Sequence, residues 1–279
     1  MQDETMEVRS ERNAGARRRT VDVIIPTYKP DKKFSRLLRM LELQTYPIRR
    51  IIVMNTEKSY WNDKGYEGIK GLEVHHLTKA EFDHGRTRNQ GARYSRADIM
   101  VFMTDDAVPA DNRLIEQLMA AFDQRGPLGE SVIMAYARQL ADKDCGLAER
   151  YTRSFNYPDQ SRVKTRADLK ELGIKTFFAS NVCCAYDREK FWFQGGFTDK
   201  TIFNEDMIFA GRAVLEDDYA VANVADNILS GQLKPISSKE FGELWKDRAN
   251  NNVFFADARP AVAGNQVSRR MARHRAGRH

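Results

Sequence analysis

Three cysteines in 279 residues are too few for a disulfide framework, and the neighbours Cys183 and Cys184, with Cys145 alone, offer no C-x-x-C spacing for a zinc site. All three read as reduced and packed. No apolar run reaches the roughly 18 residues that a membrane-spanning helix needs, and the polar start Met1-Gln2-Asp3-Glu4 lacks a signal-peptide core. The expectation is a cytoplasmic protein. No G-x-G-x-x-G follows the first apolar run and no G-x-x-x-x-G-K-[ST] occurs anywhere, so dinucleotide and P-loop sites lose their main support. No internal repeat is present.

What is present is an ordinary globular composition, 42% hydrophobic and 10% aromatic, enough for one large α/β domain with an extension. The formal net charge of +6 concentrates at the ends, in Arg17, Arg18 and Arg19 and again in Arg269, Arg270, Arg273, Arg275 and Arg278. Such runs can meet anionic lipid, a phosphorylated substrate or nucleic acid, or simply solubilise a tail. No recognition motif or basic-aromatic surface accompanies them, so nucleic acid is not an expected partner.

Residues 1–19 are polar and without period, and read as a flexible N-terminal segment. From Thr20, apolar runs alternate with helical spacing. Val21 to Ile25 stops at Pro26, and Phe34, Leu37, Leu38 and Leu41 then recur at helical intervals. Ile51 to Met54, Leu72 to Leu77 and Ile99 to Met103 predict further strands, with a helix over Arg86 to Ser95. Continuous rather than alternating apolar strands imply a parallel sheet covered on both faces. Ligands of such sheets bind at the carboxyl ends of the strands. The residues there are Thr27-Tyr28-Lys29, Asn55-Thr56-Glu57 and Asp105-Asp106.

The second half predicts a strand over Ser131 to Ala137, a helix over Gly146 to Phe155, and one or two short strands over Thr176 to Tyr186 around Ser180-Asn181. A turn at Gly195-Gly196, a helix from Phe203 to about Leu215 and a strand over Tyr219 to Val224 follow. The expected division is a domain over 20–224, in two halves, 20–110 and 111–224. Residues 225–279 form a C-terminal extension of one amphipathic helix, Ser238 to Arg248, and a basic tail.

Two segments carry chemistry. Asp105-Asp106, released at the end of a buried strand, can hold a divalent cation that neutralises a departing diphosphate. Taken alone, the pair reads first as a solvated surface loop or a helix cap, since Asp favours turns and caps. The segment Asp83-His84-Gly85-Arg86-Thr87-Arg88-Asn89-Gln90-Gly91-Ala92 joins a turn to a helix. Its arginines and first-turn N–H groups could receive a diphosphate, or Asp83 could simply cap a surface helix. His84 alone reads as a hydrogen-bonded structural residue.

Together the ordered motifs reach a family. Val23-Ile24-Ile25-Pro26-Thr27-Tyr28-Lys29, Asp83-His84-Gly85-x-x-Arg88-Asn89-x-Gly91-Ala92, Thr104-Asp105-Asp106-Ala107-x-Pro109, Ser180-Asn181, Gly195-Gly196-Phe197 and Asn204-Glu205-Asp206 resemble the family-2 inverting glycosyltransferases of GT-A fold. They look most like the bacterial rhamnosyltransferase branch. The resemblance spans roughly Thr20 to Val224. It implies an α/β, Rossmann-like, mostly parallel central sheet flanked by helices, with a helical C-terminal extension. It implies transfer of rhamnose or another hexose from a dTDP- or UDP-sugar to a saccharide or lipid-linked acceptor of cell-envelope polysaccharide.

In such an enzyme Pro26, Thr27, Tyr28, Asn55 and Asp83 would line the donor pocket, Arg88 would approach the diphosphate, and Asp105 would meet sugar or ribose hydroxyls. Asp106, with Asp105 beside it, would hold Mg²⁺ or Mn²⁺. Asp206 would be the general base, with Glu205 as its alternate. Ser180, Asn181 and Gly196 would shape the acceptor side, while Phe191, Trp192, Phe193 and Phe197 read mainly as packing residues. Peripheral contact with the inner face of the plasma membrane, through the terminal arginines, would bring the protein to lipid-linked acceptors.

One departure stands out. The family carries a histidine shortly after the strand equivalent to Tyr219 to Val224; here the sequence is Ala225-Asp226-Asn227-Ile228-Leu229-Ser230, with no histidine between His84 and His274. Asp226 is an alternative oxygen ligand. The departure keeps open a binding homologue impaired in turnover. A nucleotidyltransferase is the other alternative, although Pro26-Thr27-Tyr28-Lys29-Pro30 is not the glycine-rich loop it would want.

Overall fold

A computed structural model describes residues 17–140, 153–201 and 203–230, with the side chains of 226–230 left aside. Strands β1 (Val21–Tyr28), β2 (Arg50–Thr56), β3 (Leu72–Leu77) and β4 (Ile99–Met103) alternate with helices α1 (Lys32–Glu42) and α2 (His84–Tyr94). Then come β5 (Val108–Pro109), α3 (Leu114–Ala121), β6 (Val132–Leu140), β7 (Arg162–Lys164) and short helical turns across 166–177. Strand β8 (Cys183–Asp187), helix α4 (Arg188–Phe193), helix α5 (Glu205–Glu216) and strand β9 (Ala220–Ser230) complete the order. One nine-stranded sheet runs β3-β2-β1-β4-β8-β6-β9-β5, with β7 on β9. Strand β8 runs against both β4 and β6, so β3, β2, β1, β4, β6 and β9 share one direction. The sheet is mostly parallel.

Alternation along β1 splits the core into two layers. Val23 and Ile25 face α1 and α3, where Phe34, Leu37, Leu38 and Leu118 are fully buried. Ile24 faces the opposite layer, with Phe102, Tyr186, Phe191 and Phe209. Each such side chain contributes about 1.5–3 kcal/mol on burial. Helix α1 starts where Asp31 caps it, accepting from the backbone N–H groups of Lys33 at 2.8 Å and Phe34 at 3.3 Å.

At the far edge of the sheet from the strand carboxyl ends, Asp22 is completely buried. Arg49 grips it through Nε at 3.0 Å and Nη2 at 2.5 Å, and Ser95 Oγ donates to it at 2.8 Å. Burial pushes its pKa up, but those hydrogen bonds and the Arg49 and Arg50 charges outweigh burial and hold it below the ordinary carboxylate value. This anchor ties β1, β2 and the end of α2 together, away from the candidate site.

Several elements depart from the sequence expectation. Strand β1 continues through Pro26, because β4 pairs with it only as far as Ile24 and the missing N–H falls beyond that partner. Of the segment Thr176 to Tyr186 only Cys183 onward is strand; the part before Phe178 is a helical turn. Strand β9 runs past Val224 through the polar Asp226-Asn227, paired with β6 and β5. Helix α3 and the short β5 and β7 were not anticipated. The helix expected over 146–155 is described only at 153–156, which is helical. Cys145, the Asp226 side chain and the expected helix over 238–248 lie outside the described residues. Cys183 and Cys184 are free and buried. Among the described residues, no helix is long and apolar enough to cross a membrane.

Candidate active site

The carboxyl ends of β1, β2 and β4 bring the first group of residues together. Thr27, at the end of β1, is buried and donates its hydroxyl to Asp105 Oδ2 at 2.8 Å. Asn55, at the end of β2, is fully buried; its Nδ2 meets His76 Nδ1 at 3.0 Å and the Glu57 carbonyl at 3.2 Å. Its Oδ1 is a buried acceptor without a partner, as is the Thr104 hydroxyl before the acidic pair. Polar atoms left unpaired at this edge can take hydrogen bonds from a ligand. Tyr28 is exposed, its ring edge-on to Tyr60 with 5.5 Å between centroids, and Lys29 Nζ lies 4.6 Å from the Tyr60 ring centre. Pro26 sits within β1, between these two faces.

Asp105 and Asp106 are half-buried directly after β4. Among the described residues, no group of three histidine, cysteine or acidic side chains converges on one point. The chemistry of the pair still fits a hard divalent cation. Mg²⁺ and Mn²⁺ prefer oxygen, and one or two carboxylates with phosphate oxygens and water complete such sites.

Helix α2 begins at Asp83, whose Oδ1 accepts from the Arg86 N–H at 2.8 Å while Thr87 Oγ1 accepts from the Asp83 N–H at 3.2 Å. Gly85 in this first turn lies so close to the Thr198 carbonyl that an added Cβ would sit 2.2 Å from its oxygen. His84 is half-buried between the rings of Phe82 and Phe203, and burial with the nearby Arg88 charge lowers its pKa. Asn89 holds the Gly195-Gly196 turn, accepting from Phe197 N–H at 2.9 Å and donating to Phe197 O at 2.8 Å. Gly196, at φ +74°, would place a Cβ 2.8 Å from Asn89 Oδ1, and its carbonyl accepts from Arg212 Nη2 at 2.6 Å. The turn is therefore braced from behind. Phe191 and Phe197 are core, whereas Phe193 is exposed.

Arg88, expected at the diphosphate, points into the protein. It is 6% exposed; Nη1 lies 3.0 Å from Glu205 Oε1 and donates to the His84 carbonyl at 3.2 Å. Glu205 opens α5 after Asn204, which takes a left-handed φ of +67°. Asn181, expected on the acceptor side, is buried with its polar groups engaged. Its Nδ2 donates to Glu205 Oε1 at 3.0 Å, its backbone N–H to Asp206 Oδ2 at 2.8 Å, and its Oδ1 accepts from Tyr186 OH at 2.8 Å.

Asp206 keeps part of its surface open while its carboxyl is desolvated. Oδ1 accepts from the Met207 N–H at 2.7 Å. Burial and the Glu205 charge push its pKa up to about 7, against the pull of the two N–H donors and Arg88. The acidic pair and Asp206 share one edge. The Thr104 N–H donates to the Val182 carbonyl at 3.1 Å, one residue from the Asn181 N–H that holds Asp206.

Behind this edge lies a polar network that sequence reading missed. Gln139 Nε2 donates to Ser180 Oγ at 3.1 Å and Tyr157 OH at 2.5 Å, and Arg153 Nη1 donates to Gln139 Oε1 at 2.8 Å. Lys164 is also buried. Its Nζ donates to the carbonyls of Phe178 at 2.6 Å and Lys175 at 3.1 Å and to Tyr136 OH at 3.3 Å. Burial lowers its pKa to about 7. No local pattern signals either group, because the partners lie far from Gln139 and Lys164 in the sequence.

The sequence pattern of Glycosyl transferase family 2 matches residues 22–194. The O-antigen chain rhamnosyltransferase RfbN of Salmonella typhimurium is 34% identical over 211 residues, 75% of this chain and 65% of that protein. The O-antigen chain rhamnosyltransferase WbaN of Salmonella anatum is 29% identical over 206 residues, 73% of this chain and 63% of that protein. The chain thus spans just under two thirds of the length of these curated relatives. Among solved structures, S. aureus TarS 1-349 in complex with UDP-GlcNAc superposes with a TM-score of 0.57 at 16% identity, over 77% of this chain and 60% of that one. The mannosyltransferase PcManGT from Pyrobaculum calidifontis, in complex with GDP-Man and Mn²⁺, gives 0.55 at 16% identity, over 94% and 72%. At that identity the likeness is one of fold.

Proposed function

Because this chain belongs to glycosyl transferase family 2, we propose that it transfers a sugar, rhamnose or another hexose, from a nucleoside-diphosphate donor to a saccharide or lipid-linked saccharide acceptor with inversion. The observation that carries the reading is the shared edge. A desolvated carboxylate at Asp206 and the carboxylate pair after β4 are joined through the Thr104–Val182 and Asn181–Asp206 hydrogen bonds. The pairing with O-antigen rhamnosyltransferases supports rhamnose as the sugar and an envelope saccharide as the acceptor.

The chemistry follows from these residues. Asp206, ionised, takes the proton of the acceptor hydroxyl as that oxygen attacks the anomeric carbon; the carbon–oxygen bond to the diphosphate breaks on the opposite face. A carboxylate with pKa near the working pH is well matched to that proton transfer. Thr27 orients Asp105 toward donor hydroxyls, and the orphaned Asn55 Oδ1 offers an acceptor to the nucleoside. Asp106, with Asp105, would hold Mg²⁺ or Mn²⁺, which when bound neutralises charge on the leaving diphosphate.

A panel of dTDP- and UDP-sugars screened for diphosphate release in the presence of an acceptor tests the reading. Transfer should be lost, with folding retained, in Asp206→Asn and in Asp106→Ala. Undiminished transfer by Asp206→Asn sinks the base assignment. Binding of a nucleotide sugar by calorimetry, with no product from any donor, would favour the impaired homologue that the missing histidine suggests.

A further inference from the structure

The two carboxylates at the start of α5 are not equivalent. Glu205 Oε1 lies 3.0 Å from Arg88 Nη1 in an ion pair and accepts a hydrogen bond from Asn181 Nδ2 at 3.0 Å, and both members of the ion pair are only 7% exposed at the side chain. Asn181 is itself fixed from behind by the wholly buried Tyr186. Asp206 receives only backbone N–H groups and keeps part of its surface open. A guanidinium enclosed with a carboxylate is committed to it, because separating them would leave two uncompensated buried charges.

We propose that Arg88 acts on the base and not on the diphosphate: it pins Glu205 as a fixed buried anion beside Asp206, and this assembly, completed by Asn181 and Tyr186, decides which carboxylate takes the acceptor's proton. The inference rests on the reading of Asp206 as general base. Glu205 is then a positioning residue. Its ion pair with Arg88 and its hydrogen bond from Asn181 hold it in the protein, and its charge lies next to the group that faces the acceptor. The charged and titratable groups around Asp206 are Glu205 on its own helix, Arg88 from α2, Tyr186 and Cys184 from β8, and Tyr157 from the segment after residue 153, while His84 from α2 interacts with Arg88 and Glu205 and not with Asp206. Of these, Glu205 and Arg88 are the charges that neighbour Asp206 most strongly, and they act with opposite sign.

Opposite signs make the test. In the full-length protein, the acid limb of the kcat/KM–pH profile for transfer should move toward acid in Glu205→Gln and toward alkali in Arg88→Gln, each by about one pH unit, the size of a strong single-charge effect. Arg88→Lys, which keeps the cation, should leave the limb near its wild-type position. ¹³C NMR titration of the Asp206 carboxyl should move in the same directions, and gives a readout when a variant turns over poorly. If Arg88 served the diphosphate, Arg88→Gln would raise the donor KM and leave the limb where it was; that result overturns the inference. So does a limb that stays fixed in Glu205→Gln while Asp206→Asn is inactive, an outcome that leaves the base assignment standing. Activity in Asp206→Asn with none in Glu205→Gln would instead refute the base assignment itself. Should Glu205→Gln fail to fold, the Arg88→Gln and Arg88→Lys pair decides by the same criteria.

Discussion

Asp206 stands where chemical use and stability pull apart. Its carboxyl titrates at about 7 in the folded protein and near 3.9 in the unfolded chain, so the native state holds the proton more tightly. The associated stability is therefore fully present below about pH 4 and is lost as pH rises through 7. Asp206→Asn should abolish transfer yet melt higher than wild type near pH 8 by a few degrees, at about 2–4 °C per kcal/mol, with the gain shrinking toward pH 4. Thermal melts at the two pH values check it, and a difference that does not vary with pH contradicts it. For the wild type the same titration makes kcat/KM climb as pH rises through about 7. Sequence alone marked Asp206 and Glu205 as a pair on a helix start. The resemblance put Asp206 first and Glu205 as its alternate, but the physical difference between them was not legible, because it depends on Arg88 and Asn181, which reach Glu205 from elsewhere in the chain.

Helix α2 is the element on which the site depends most. Its first turn lies against the Thr198 carbonyl at Gly85, its middle carries Arg88, and Asn89 braces the Gly195-Gly196 turn. Gly85→Ala would set a methyl 2.2 Å from that carbonyl oxygen, and relief requires the backbone to move. The expected cost is about 1–3 kcal/mol of stability, with transfer falling alongside it in denaturant melts and assays. Gly65→Ala, whose Cβ would meet nothing within 4 Å, is the control and should change neither. Strand β4, buried throughout, was legible as the apolar run Ile99 to Met103; Leu72 to Leu77 also coincides with β3, although that edge strand is mostly half-buried. Helix α3 carried a readable signal in Leu114, Ile115, Leu118 and Met119, all core-facing at helical spacing. Strands β5 and β7 carried none. Two and three residues long, they exist only because β9 passes beside them.

Across the described residues, the sheet gathers the proposed site residues at one edge and leaves the opposite edge to Asp22 and its arginines, so the proposed site and the stabilising ion pairs lie at distinct ends. That polarity was legible from the residues following each apolar run, since parallel strands must end together. The arginine-rich sequence 269–278 makes a further expectation. Near an anionic surface each arginine contributes on the order of 1 kcal/mol, so the full-length protein should sediment with phosphatidylserine-containing liposomes at low salt and be released as salt rises. Absence from the pellet at low salt rules out docking. A different consequence follows from Lys164, whose hydrogen bonds all go to neutral oxygens inside the wall behind Ser180 and Asn181. An amine held this way is nucleophilic near neutral pH but sealed from reagents, so acylation must wait for the wall to part. Mass spectrometry should find Lys164 modified orders of magnitude more slowly than the exposed Lys32 and Lys33, and equal rates would contradict the enclosure. The lysine is in effect a clock built into that wall, counting how often it opens.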